Sequence, residues 1–202
     1  MDEEAALRPL VTRARGGDDE ALGELYRRLR PRVRGLCRHM LRSAEAAEDA
    51  ASEVFLRLRR AIPGYDPAQP FVRWLLSVAS HHAIDVLRRR RLEGRLFADG
   101  EVEGLDERDD AGGAGSAPSP LSEVLLAEQK AAVRAALLAL PERYRLPLVL
   151  RYYGDLPYEE IARQLGLTRN HVATLIFRAK HALRRALQPA AEESGRWAAT
   201  TS

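Results

Sequence analysis

Along this chain the apolar side chains recur every three or four positions and nowhere alternate over a strand-length run, which predicts helices throughout. Residues 3–15 make a short first helix, stopped at Gly16-Gly17. Asp18 is a good N-cap for the second, with Asp19 and Glu20 favourable near its positive end. Leu22, Leu25, Tyr26, Leu29, Val33, Leu36 and Met40 then follow at helical spacing, with a kink expected at Pro31. A third helix is predicted from about Ala44 to Ala61, carrying Val54, Phe55 and Leu58 on one side. The stretch "IPGYDPAQP", with three prolines and a glycine, breaks the chain. A fourth helix begins near Phe71 and runs to about Arg91. Phe71, Leu75, Val78, His82 and Val86 share one of its faces, and Trp74, His81 and Arg88 share another.

A second helical block follows. Leu121 to Ala139 is amphipathic, and Pro141 is expected in the first turn of a helix reaching about Tyr153. "GDLP" is a turn, after which Tyr158–Leu165 and Arg169 to about Leu187 are separated by Gly166-Leu167-Thr168. Between the blocks, "GEVEGLDERDDAGGAGSAPSP" (100–120) is acidic, then rich in Gly, Ala, Ser and Pro, without apolar periodicity. The expected organisation is therefore all-α: two small helical domains, 1–92 and 121–188, joined by a flexible acidic linker, 93–120, and followed by a mobile tail, 189–202.

Charge sharpens this division. Val54 to Ala98 holds nine Arg against Asp66, Asp85 and Glu93, a balance of +6. Asp99 to Asp110 is at −6, and Leu121 to Leu187 is at +5. Two basic blocks flanking an acidic one suit a partner that presents negative charge at two places. Cys37 is the single cysteine, which excludes an internal disulfide and a thiolate zinc cluster. No apolar run approaches the roughly 18 residues a membrane span needs. The opening "MDEEAALRPL" lacks the order of a signal peptide, so a cytoplasmic protein without membrane insertion is expected.

The stretch "YEEIARQLGLTRNHVATLIFRAKHAL" has the spacing of a helix-turn-helix. Ile161, Ala162 and Leu165 point inward from its first helix, Gly166 takes the turn, and Val172 and Ile176 point inward from the second. Thr168 can cap that second helix, leaving Arg169, Asn170, His171 and Thr174 on its outer N-terminal side, residue types that reach bases and phosphates in a major groove. In "HHAIDVLRRRR" (81–91), His81, His82 and Asp85 are too few to hold a metal, and no phosphate loop or nucleophile motif occurs. No metal site, cofactor or catalytic residue is expected, and Asp85 is expected to pair with Arg88 or Arg89.

Three stretches in order resemble the extracytoplasmic-function (ECF) sigma factors of bacterial RNA polymerase. "AEDAASEVFLRLRRAI" (47–62) is similar to the family's polymerase-binding helix, "FVRWLLSVASHHAIDVLRRRR" (71–91) to its promoter-melting and −10-reading helix, and residues 140–187 to its −35-reading domain. The resemblance implies a non-catalytic initiation subunit that partners core RNA polymerase, promoter DNA and an anti-sigma factor. It implies that Asp49, Glu53 and Phe55 grip the polymerase, with acids at the rim and an aromatic anchor. It implies that Trp74 stacks on melting DNA, that the loop 63–70 with Tyr65 cradles a flipped base, and that Arg88, Arg89, Arg90 and Arg91 hold phosphates. His81 stands where the family often has Asn, which places it near the −10 bases. Readout of the −35 element falls to Thr168, Arg169, Asn170, His171, Thr174 and Arg178. Ala173 and Leu175 stand where the family often has basic residues, implying lost DNA contacts. The acidic linker corresponds to a segment that threads the polymerase's nucleic-acid channels. A stand-alone helix-turn-helix regulator is the alternative, since the second block alone would fit it.

Overall fold

The computed structural model of the protein describes residues 3–96 and 120–187. Eight α-helices account for nearly all of them: α1 (Glu3–Arg15), α2 (Asp19–Leu41), α3 (Ala44–Ala61), α4 (Phe71–Leu96), α5 (Pro120–Ala139), α6 (Glu142–Tyr152), α7 (Tyr158–Leu165) and α8 (Arg169–Leu187). One 3-10 turn, Ile62–Gly64, follows α3, and no strand occurs among the described residues. The predicted linker and tail lie largely outside the described residues, with α4 continuing past Arg91 to Leu96 and α5 starting at Pro120.

Local chemistry sets the helix ends. The Asp18 carboxylate accepts from the Ala21 backbone N–H at 3.0 Å, and the Ser43 hydroxyl accepts from Ala46 N–H at 3.1 Å, each satisfying a donor that has no partner within its helix. Gly17 turns the chain into α2 with φ +91°, a conformation open to glycine at little cost. α2 runs unbroken through Pro31. Pro141 sits just before the first turn in which it was expected, at the N-cap of α6, and Pro157, the last residue of the GDLP turn, takes the same position before α7.

In the first half α2 is the central rod. It packs against α1, α3 and α4, and Leu25, Leu29, Val33, Leu36 and Met40 along it are at most 1% exposed. In the second half α8 packs against α5, α6 and α7. The halves also touch: α2 meets α5 and α6, and α4 meets α7, so one continuous buried core spans both. Arg145 of α6 is buried at 2% exposure with its guanidinium directed at the end of α2.

Candidate nucleic-acid interface

The N-terminus of α4 is held by aromatic packing and by a cap from afar. The Glu4 carboxylate of α1 accepts the Phe71 backbone N–H, one of the donors that a helix start leaves over. Tyr65 packs edge-on against Phe71 at 5.2 Å and beside Trp74 at 5.1 Å. The Tyr65 hydroxyl donates to the Gln69 carbonyl and so closes the loop on itself. At 6% exposure Tyr65 is a strut under the loop, its ring packed into the aromatic cluster. The sequence could not reveal this, because the aromatic partners are brought together only when the loop folds back onto α4.

Trp74 is half-buried at the edge of that cluster, and the outer stripe of α4 continues through Ser77 and His81 to Asp85 and Arg88. His81 is exposed, its Nδ1 2.8 Å from the Ser77 carbonyl and its Nε2 4.0 Å from Glu160 of α7. His82 faces the other way and is buried, with Nδ1 unpartnered; burial and the nearby Arg57 hold its pKa below the ordinary histidine value. Asp85 lies 3.6 Å from Arg88, the expected pairing. The four arginines are exposed, yet they are differently engaged. Arg88 donates to the Gln164 carbonyl at 3.2 Å, Arg89 to the Asp85 carbonyl at 3.4 Å, and Arg91 pairs with Glu142.

On α3, Asp49 is exposed and Glu53 half-buried, and Glu53 accepts from Arg57 at 2.6 Å, which holds its carboxyl below the usual range. Phe55, however, is 8% exposed and packs edge-on against Tyr26 at 4.8 Å. Its ring serves the core, and the apolar side chain presented on this stretch is Leu56, 73% exposed. Helical phase explains the difference: Val54, Phe55 and Leu58 all turn toward α2, so the neighbour at 56 must turn out.

The second motif is a helix-turn-helix in geometry. Gly166 takes the left-handed conformation, φ +68°, that ends α7, and the Thr168 hydroxyl accepts from His171 N–H at 3.2 Å to begin α8. Ile161, Ala162, Val172 and Ile176 are buried, whereas Arg169, Asn170, His171, Thr174 and Arg178 are exposed. Arg169 pairs with Glu159 at 2.6 Å, and the Thr174 hydroxyl donates back to the Asn170 carbonyl at 3.0 Å. Leu175 is buried at 8%, flanking the Val172/Ile176 seam, so this position packs against protein. Ala173 is half-buried. Phe177, absent from the sequence-based set, is 64% exposed and shares the outer stripe of Asn170, Thr174 and His181, its ring 4.4 Å from that of His181. Helical spacing was the signal that could have found it.

Among the described residues no group of three or more His, Cys, Asp or Glu is placed to hold a metal ion, and no helix is long and apolar enough to cross a membrane.

Comparison with known proteins accounts for the pairing of these two surfaces. Residues 25–93 match the Sigma-70 region 2 family and residues 130–183 match Sigma-70 region 4. The chain is 32% identical over 189 residues to the RNA polymerase sigma-H factor of Pseudomonas aeruginosa, covering 92% of this chain and 95% of that one. It is 29% identical over 188 residues to the ECF RNA polymerase sigma factor SigW of Bacillus subtilis, covering 92% and 98%. In fold it is similar to the sigma factor RpoE of Bartonella quintana, solved with the anti-sigma factor NepR, with a TM-score of 0.61, 16% identity, and 83% and 96% of the two chains covered. With region 2 and region 4 matched in order and relatives alike over almost the whole length, the chain belongs to the ECF subfamily of RNA polymerase sigma factors.

Proposed function

We propose that the protein associates with core RNA polymerase in the cytoplasm and directs it to promoters as a non-catalytic initiation subunit, with an anti-sigma factor as its regulator. The observation that carries this reading is the occurrence, on one chain, of an exposed helix-turn-helix face and a separate helix combining a half-buried Trp74, His81 and an arginine run. α8 enters the major groove of the −35 element, where Arg169, Asn170, His171 and Arg178 reach base edges and phosphates and Thr168 lies at the backbone. Phe177 and the Thr174 methyl supply apolar contact of the kind that recognises a thymine methyl. On α4, Trp74 stacks on an unpaired base of the −10 strand, His81 approaches its neighbours, and Arg88 to Arg91 hold phosphates. Stacking of this kind contributes about 1–3 kcal/mol per base, enough to offset part of the unstacking. Asp49 and Glu53 form the charged rim of the polymerase contact, with Leu56 as its apolar centre in place of Phe55.

The domains this reading uses are 1–92 and 121–188, with the 93–120 segment between them. Transcription reconstituted with core enzyme on a genomic DNA library tests it: discrete start sites that depend on the added protein are expected. A stand-alone regulator would give no such transcripts while still binding duplex DNA.

A further inference from the structure

Helices α4, α6, α7 and α8 enclose a cleft of about 450 Å³ for which no role above accounts. Hydrogen bonds and close packing fix its walls. Ser80 of α4 is 0% exposed, and its hydroxyl lies 2.7 Å from Oε1 of Gln164 on α7, itself 4% exposed. Buried Arg145 of α6 donates to the Leu140 carbonyl and to the Met40 carbonyl near the end of α2, both at 3.1 Å. Beside it Tyr153 stands so close to α2 that any side chain at Gly35 would run into its ring. A cavity between elements held in this way is formed before a ligand arrives, and its volume falls in the range of small-molecule sites.

Each of the four helices gives the cleft one leucine: Leu87, Leu146, Leu165 and Leu175. Arg88, Arg91, Arg143 and His171 line it too, against the single carboxylate of Glu142. These four cationic or titratable side chains are exposed and mark the mouth, whereas Leu146 and Leu175 are buried and mark the base. Arg91 already holds Glu142, and Arg88 is shared between the Gln164 carbonyl at 3.2 Å and Asp85 at 3.6 Å. Arg143 differs: its guanidinium lies 4.8 Å over the Tyr144 ring, and no carboxylate of the described residues pairs with it. Cations around an apolar hollow leave a positive field that favours an anion there. Among the described residues no Phe, Tyr or Trp ring and no hydroxyl or amide side chain lines the cleft, so it is poorly suited to a nucleobase. An aliphatic chain with one anionic head meets both demands, covering the leucines and facing the arginines. We infer that this cleft binds such an amphipathic acid, a fatty carboxylate or an alkyl phosphate, with Arg143 contacting its head. The site shares Arg88, Arg91 and His171 with the surfaces assigned above to DNA, so a bound acid competes for the same cations. That consequence rests on the promoter reading; the site itself does not.

Calorimetric titration of the full chain with decanoate, decyl phosphate and decanol tests the site. One acid bound per chain is expected, with the alcohol about tenfold or more weaker; the tighter acid identifies the head group. Arg143→Glu is expected to weaken acid binding about tenfold or more, and Arg143→Lys, which keeps the charge, by about threefold at most. Arg143 is exposed, so neither change disturbs the core. Leu87→Trp fills the cleft from a half-buried position and is expected to abolish uptake, with thermal melts confirming a folded variant. Uptake without saturation, equal binding of the alcohol, or acid binding untouched by both Arg143→Glu and Leu87→Trp would overturn the site. So would a parent chain that takes no acid while a variant with the seven acids of 99–110 changed to Asn or Gln takes it, which gives the cleft to the chain's own acidic segment. A mixed-sequence 30-nucleotide single strand bound without polymerase is expected to lose about fivefold in affinity at saturating decanoate. An unchanged strand affinity would overturn the competition. Since the acid titration contains no DNA, failure of the promoter reading shows separately from failure of the site.

Discussion

Two helices of this molecule carry cations and an aromatic on their outer stripes, and the rest of the chain engages them differently. On α8 the stripe Asn170, Thr174 and Phe177, with Arg178 beside it, is exposed. On α4 the stripe Ser77, His81 and Arg88 lies against α7, with Arg91 held by Glu142. A helix that reads duplex edges needs only to stand out from the surface. A helix that binds a strand after melting uses stacking and phosphate contacts that tolerate any sequence.

Loss of the arginine run should break the comparison most severely. Changing Arg88, Arg89, Arg90 and Arg91 together to Ala should weaken promoter binding by the polymerase complex across all sequences, and reduce the salt slope by about 3. Binding isotherms from low to moderate salt check this. Arg145→Leu comes next, since it leaves the Met40 and Leu140 carbonyls buried and unpaired; a loss of about 3 kcal/mol in urea unfolding is expected. Arg178→Ala on the open helix should leave unfolding unchanged.

Acid should act on the contact between the two halves too. His39 sits between α2 and Tyr153, its ring 5.1 Å from the tyrosine ring, and burial together with Arg134 and Arg38 pushes its pKa down to about 4. The unfolded chain takes up this proton near pH 6.5 and the folded one only near 4, so stability falls as pH drops through that window and levels off below it. The loss is on the order of 3 kcal/mol from this group. Thermal melts at stepped pH should show it, and His39→Leu should flatten the profile. The smallest effect is expected for Phe177→Ala, about 1 kcal/mol of −35 affinity. A competition assay on the mapped promoter should detect it, with unfolding unaltered because the ring is exposed.

Much of this molecule could be read from spacing alone. The helix-turn-helix, its Thr168 cap and its Gly166 turn followed from local rules, and so did the division of His81 from His82, because neighbours on a helix point about 100° apart. Phe55 and Tyr65 could not be read that way. Each has a partner ring from another segment, and an aromatic at the edge of a periodic stripe can serve either the core or a ligand until that partner is known.

The amino-acid sequence by itself determined the eight helices, the two basic blocks and the residue types available to nucleic acid, since these depend on neighbours within a few positions. Only the tertiary structure decided that Ser80, Gln164 and Arg145 are interior groups and that Gly35 must be glycine. A serine, a glutamine and an arginine on helix surfaces look solvent-facing in any local reading. Their burial depends on α7 reaching α4 and α6 reaching α2 across more than 80 intervening residues, a contact that no local periodicity encodes.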